Sequence, residues 1–305
     1  MSSKERRTVP TEAIELYNQF IHGEISRRDF LSGAKKFAVA GLTASAIVQA
    51  LVPDYAMGQQ IAKSDERIKA SYVTIPSPNG NGSAVKGYLV RPFSQDTRSE
   101  TPTKLPGVIV VHENRGLNPH TEDVARRFAL ANFVAFAPDV LTSVGGYPGD
   151  DYQGGQLFSK LDNAKKFEDI VASAQWLKAQ PFSTGKIGVT GFCYGGGVSN
   201  QLAVRLGADL AAAAPFYGAA PADADVSKIK AAILVHHGEL DTKLVQAWPA
   251  YDKALKAANV PHEGHIYKGA VHGFFNDATP ERYDEAAAHE AWSSTIAWFN
   301  KYVRG

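Results

Sequence analysis

From residue 68 onward the chain alternates short apolar or two-residue-period runs with longer segments whose apolar positions recur at helical spacing. Residues 70–75 and 84–91 read as strands, and the turn-rich Pro-Ser-Pro-Asn-Gly-Asn-Gly run at 76–82 joins them as a hairpin. Residues 107–112, GVIVVH, are apolar at consecutive positions, as a strand covered on both faces requires. Residues 121–130 follow as a helix with Val124, Phe128 and the adjoining Ala131 on one side. The same alternation predicts strands at 133–138, 186–190, 210–216, 231–236 and 262–267, and helices at 162–179, 194–205, 244–258 and 280–302. Strands feeding crossover helices define an α/β protein, a mostly parallel sheet with helices on both faces, and one domain over residues 61–305 accounts for every element. Residues 140–160, with GGYPGDDYQGG at their centre, are too long and polar for a tight crossover and read as a lid or pocket-rim loop.

The first sixty residues follow another pattern. An amphipathic helix over Glu12 to Phe20 precedes Ser26-Arg27-Arg28-Asp29-Phe30-Leu31, a twin-arginine pattern, and then a charge-free run from Phe37 to Val52. Such a leader predicts export to the periplasm. The alternative is a cytoplasmic protein whose N-terminal helices stay attached and pack on the body or on a second subunit, which leaves a homodimer open. As a helix the charge-free run would be roughly 24 Å long, short of the roughly 30 Å hydrocarbon core, which argues against a permanent membrane span.

Composition narrows the classes further. With 305 residues, 44% hydrophobic and 21% charged, the chain has the balance of a soluble globular protein. The 32 basic against 31 acidic residues leave no clustered cationic excess for nucleic acid. Cys193 is the single cysteine, so neither an intramolecular disulfide nor a cysteine-based zinc site can form. No H-x-x-x-H with an acidic neighbour and no phosphate-binding glycine loop occurs, so neither a metal nor a cofactor is expected.

The lone thiol stands in Thr190-Gly191-Phe192-Cys193-Tyr194-Gly195-Gly196-Gly197, a G-x-C-x-G pattern between a predicted strand and a predicted helix. This is the sequence of a nucleophile elbow with sulfur in place of a hydroxyl. Downstream come an acid in His236-His237-Gly238-Glu239-Leu240-Asp241 and a histidine in Ala270-Val271-His272-Gly273, each just past a strand's carboxyl end. The order is nucleophile, acid, histidine. His272 would shuttle protons to and from Cys193, and Asp241, rather than Glu239, would fix its tautomer. His236 and His237 suit pocket lining or hydrogen bonding, and His120, His262, His265 and His289 suit scaffold or surface. His112-Glu113-Asn114-Arg115-Gly116 follows the first parallel strand, where backbone N–H groups of Asn114 and Tyr194 would form an oxyanion hole. Glu113 would regulate the thiol, or else pair with Arg115 at the rim. Arg115, Lys243 and Arg282 are the nearby cations, and Tyr147, Tyr152, Tyr217 and Phe274 are the candidate aromatic lining.

Together GFCYGGG, HENRG, ELD and AVHGF make the chain resemble the dienelactone hydrolases, or carboxymethylenebutenolidases, over residues 68–303, and ISRRDFL resembles a bacterial subgroup with a twin-arginine-like leader. The resemblance implies an α/β-hydrolase fold, a Cys193-His272-Asp241 triad, and a Glu113 carboxylate that regulates the thiol. It also implies an arginine shortly after the catalytic histidine to hold a substrate carboxylate, where this chain reads Gly273-Phe274-Phe275-Asn276-Asp277. The expected activity is cofactor-free hydrolysis of a lactone or small ester through a thioester acyl-enzyme. Hydrolysis of thioesters or other small esters is the nearer rival, and a binding or redox-sensing protein on the same scaffold is the rival from another class.

Overall fold

The computed structural model describes residues 8–21, 23–37, 43–93 and 104–305. Its centre is an eight-stranded sheet in the order β1-β2-β4-β3-β5-β6-β7-β8. The strands are β1 (Ile68–Pro76), β2 (Ala84–Pro92), β3 (Leu105–Val111), β4 (Val134–Asp139), β5 (Ser183–Phe192), β6 (Ala212–Phe216), β7 (Ala232–Gly238) and β8 (His262–Tyr267). The predicted hairpin is present: β1 and β2 pair antiparallel, β2 lies antiparallel to β4, and every later pair is parallel. All eight expected strands recur within three residues of their predicted bounds, the inner ones, β3 to β7, because two-sided burial writes them as apolar runs.

Alternation along β3 shows how the layers are built. Val108 and Val110 point into one core with Val124 and Phe128 of a crossover helix and with Trp298 and Phe299 of the last helix. Ile109 and Val111 point into the opposite core with Ile170, Leu177, Val198 and Leu255. Successive side chains of a strand face opposite ways, so one valine-isoleucine run glues helices to both sides of the sheet. Each fully buried aliphatic side chain contributes roughly 1.5–3 kcal/mol.

The stretch at 140–160 departs from expectation. A short 3₁₀ turn at Thr142–Val144 leads to a regular helix, Asp151–Lys160, with Asp150 as N-cap accepting from the Gln153 N–H at 2.7 Å. Two glycines lie inside it for reasons of space, since a Cβ on Gly154 would sit 2.3 Å from the Arg115 carbonyl oxygen and one on Gly155 would sit 2.1 Å from the Arg115 guanidinium. Glycine here permits close approach and does not loosen the segment.

In chain order the helices are α1 (Thr11–Ile21), α2 (Arg27–Ala34), α3 (Ala44–Leu51), α4 (Pro119–Leu130), α5 (Asp151–Lys160), α6 (Asn163–Ala179), α7 (Tyr194–Leu206), α8 (Thr242–Ala257) and α9 (Glu285–Phe299). The predicted 280–302 helix begins late, at α9, because residues 273–284 form hydrogen-bonded turns ending on the N-cap Asp284.

Helices α1 to α3 form a separate layer docked on the body. Ala13, Tyr17 and Ile21 of α1 pack with Phe30, Ile47 and Leu51, and this cluster includes Val271 beside the predicted histidine. The layer contains the twin-arginine motif: Ser26 and Asp29 close a capping box at the start of α2, and the Arg27 guanidinium lies 4.8 Å from the Tyr152 ring centroid on α5. Part of the predicted apolar run, residues 38–42, lies outside the described residues. Among the described residues no helix is long and apolar enough to cross a membrane.

Candidate active site

Strand β5 ends at Phe192 and α7 starts at Tyr194, so Cys193 alone makes the turn. Its φ of 54° and ψ of −108° put a non-glycine residue where side chains rarely go. The surroundings enforce this conformation. A Cβ on Gly191 would lie 2.3 Å from the Gly195 carbonyl oxygen, and one on Gly195 would lie 2.3 Å from that of Val111. The glycines of the motif thus let α7 press against the ends of β3 and β5 and raise the thiol above the sheet edge. The Cys193 N–H donates to the Phe216 carbonyl at 3.1 Å, tying the elbow to β6.

Two loops from neighbouring strands converge on the thiol. The His272 Nδ1 meets Asp241 Oδ2 at 2.5 Å, and the imidazole also hydrogen-bonds Cys193. Burial by itself would lower the His272 pKa, but the hydrogen bonds to Asp241 and Cys193, with their charges, outweigh it and hold the imidazole at about 10. Glu239 is turned elsewhere, its carboxylate accepting the Gly269 N–H at 2.8 Å. His236 is committed to the core, bonded to the Tyr267 hydroxyl at 2.9 Å and Thr295 at 3.0 Å. Burial lowers the His237 pKa to about 4 and keeps that ring neutral beside the pair.

The 113–116 loop is fixed by His112. Burial lowers the pKa of this ring, whose Nδ1 bonds the Glu113 carbonyl while Nε2 accepts from the Val140 N–H at 3.3 Å. Glu113 is buried, and its charge acts on Tyr217 and Arg282. It forms no ion pair with Arg115 among the described residues, so the rim salt bridge is absent. Asn114 Nδ2 and Arg115 Nη2 both donate to the Ile21 carbonyl, at 2.5 and 3.1 Å, capping the C-terminus of α1. The Tyr194 N–H belongs to the first turn of α7, where the helix ladder offers it no acceptor.

A cavity of about 450 Å³ opens on Cys193 and His272, with Tyr194, Tyr217 and Asp241 around them. Of the predicted lining residues, Tyr217 and Lys243 face this cavity. The others do not. Phe274 is wholly in the core, Tyr147 lines a different depression where it donates to Asp151 at 2.8 Å, and Arg115 and Tyr152 stand behind α1. Arg282 is buried with its guanidinium 5.5 Å from the Tyr17 ring centroid. Residues that the sequence pattern does not point to take their places: Thr11, Ile14, Glu15 and Asn18 from α1, and Leu240 and Val271 from the loops that carry Asp241 and His272. The only signal for the α1 group was its amphipathic stripe, which predicts a buried face without saying against what.

A sheet of this order with a strained strand-to-helix turn, an acid and a histidine at successive carboxyl ends has the architecture of an α/β-hydrolase. The family model of the dienelactone hydrolases matches residues 87–303, and the chain belongs to that family; a second model, described as YqhI-like, matches residues 1–39. Among curated relatives, "Putative hydrolase fragment YghX" of Escherichia coli K12 is 51% identical over 121 residues, 40% of this chain and 97% of that protein. "Putative carboxymethylenebutenolidase" of Escherichia coli O157:H7 is 31% identical over 253 residues, covering 78% of this chain and 89% of its own. Among solved structures, "Putative Dienelactone Hydrolase" from Klebsiella pneumoniae superimposes with a TM-score of 0.65 at 26% identity, over 77% of this chain and 100% of that one. The chain is accordingly a hydrolase.

Proposed function

We propose that the enzyme hydrolyses a small carboxylic ester or lactone through a thioester acyl-enzyme on Cys193. The observation that carries this reading is the strained Cys193 elbow, bonded to an imidazole that Asp241 holds from behind. The Cys193 sulfur attacks the ester carbonyl, and the oxyanion takes hydrogen bonds from the Tyr194 and Asn114 N–H groups. The C–O bond breaks, His272 gives its proton to the leaving alkoxide, and a thioester remains. Water then loses a proton to His272 as it attacks the thioester, and the carboxylic acid leaves with the thiol restored. Buried Glu113 opposes build-up of negative charge on the resting sulfur and so guards it between turnovers.

The cavity favours neutral substrates. Glu15 and Glu24 line it, and the one cation among the described lining residues, Lys243, lies 3.6 Å from Glu24. Neither Arg115 nor Arg282 reaches the cavity. These positions favour small neutral esters or thioesters over a lactone that carries a carboxylate. The docking of α1 to α3 beside the site also supports the reading in which these helices stay on the enzyme, whether it remains in the cytoplasm or is exported folded.

The test is steady-state hydrolysis of 4-nitrophenyl acetate and dienelactone by Cys193→Ala and His272→Ala. Both variants are expected to lose at least about 10³-fold in kcat/KM. An undiminished rate in either rejects the mechanism.

A further inference from the structure

We infer that α1 is the substrate-selecting wall of the catalytic cavity, with Ile14 and Asn18 as specificity-determining residues. This rests on the hydrolase reading and adds to it a part of the site outside the matched family region, residues 87–303.

Thr11, Ile14, Glu15 and Asn18 succeed one another at helical spacing, so they share one face of α1, and all four line the cavity that holds Cys193 and His272. The other face fixes this orientation. Tyr17 meets Phe30 edge-on at 5.7 Å and Phe20 stacks on Phe30 at 5.0 Å, so the helix cannot roll without exposing its apolar stripe.

Both ends of α1 are held by the segments that build the site. Ahead of its first turn, the Thr8 and Val9 N–H groups donate to Glu281 at 2.9 and 3.1 Å. Behind its last turn, the Ile21 carbonyl accepts from Asn114 and Arg115 of the oxyanion loop. Ile14 shares its cluster with Val271, the neighbour of His272. A wall clamped at both ends sets a fixed size limit on what reaches the thiol.

Asn18 is suited to contact substrate. It is half-buried, it borders the cavity, and its side-chain oxygen takes no hydrogen bond from any described residue. That oxygen is itself buried, so it is an unsatisfied acceptor in the cavity wall and not a tie that holds the helix in place. Ile14 supplies the apolar part of the wall, where a methylene more or less in the substrate changes the fit.

The test measures kcat/KM of the full chain for 4-nitrophenyl acetate, butyrate and octanoate. Asn18→Trp, which fills the cavity, is expected to lower the octanoate-to-acetate ratio by about tenfold, and Ile14→Ala to raise it by a similar factor. Glu12→Trp, on the exposed side of the same helix, is expected to leave the ratio unchanged. Asn18→Ala, a truncation at a half-buried position, repeats the comparison with little demand on folding and is expected to move the ratio upward. A chain-length profile that stays at the wild-type ratio in Asn18→Trp, Asn18→Ala and Ile14→Ala overturns the inference. Cys193→Ala, run alongside, separates the two levels: cleavage that persists without the thiol overturns the hydrolase mechanism, whereas thiol-dependent cleavage with an unmoved profile overturns the wall alone.

Discussion

At the scale of single residues, the most informative group is His272. Its proton is held in the folded state to about pH 10, against an ordinary value of 6.5. A folded pKa above the unfolded one stabilises the fold fully below the unfolded value, and that contribution fades as pH rises and vanishes above the folded value. The stability advantage of wild type over His272→Gln is therefore expected to be greatest near pH 6, to shrink through pH 8, and to be gone above about pH 10. Urea unfolding at these pH values measures it, and an advantage that grows with pH contradicts the assigned cause. The same residues were the most legible part of the site. Cys193, Asp241 and His272 each follow a strand's carboxyl end, and the glycines around the cysteine mark a place where the backbone of α7 must press close to its neighbours. The cations were not legible, because spacing alone does not reveal that Arg282 lies against Tyr17 or that Arg115 caps a helix from another part of the chain.

At the scale of elements, α1 is anchored at its N-terminal end by one carboxylate among the described residues. Glu281 accepts from the Thr8 N–H, the Thr8 hydroxyl and the Val9 N–H, and it is buried. Glu281→Ala leaves those donors without a partner, which costs about 1–3 kcal/mol. Amide exchange in α1 is expected to quicken by about tenfold or more while β3 to β7 keep their protection. Equal loss across the sheet would mean that the carboxylate supports the body and not the helix. Helix α5 teaches a different lesson about legibility. Its glycines look like loop punctuation in the sequence, yet Gly154 and Gly155 are helical because Arg115 passes too close for a side chain. A local pattern cannot report a neighbour about forty residues away, and only tertiary packing distinguishes the two uses of glycine.

At the scale of the molecule, the body was readable and the N-terminal layer was not. Buried strands announce themselves by composition, and parallel connection follows from the intervening helices, so sheet and crossovers follow from the pattern. A leader and a docked helical layer share one pattern: amphipathic helix, paired arginines, apolar run. What separates them is the far surface on which Tyr17 and Phe30 settle, and that surface is assembled from residues 114–115, 271 and 281–282. Intact mass of the enzyme recovered from cells is expected to include residues 8–51, in whichever compartment it accumulates. A mature chain starting near residue 58 would refute retention.

The Thr8 to Glu281 contact joins residues 273 positions apart. Ribosomes deliver α1 well before its anchor, so a nascent polypeptide holds that helix undocked until Glu281 has been translated. If α1 is the selecting wall, competence to select substrate arises only after that point, and a translation product cut short before residue 281, however well its early strands have paired, carries an unanchored α1.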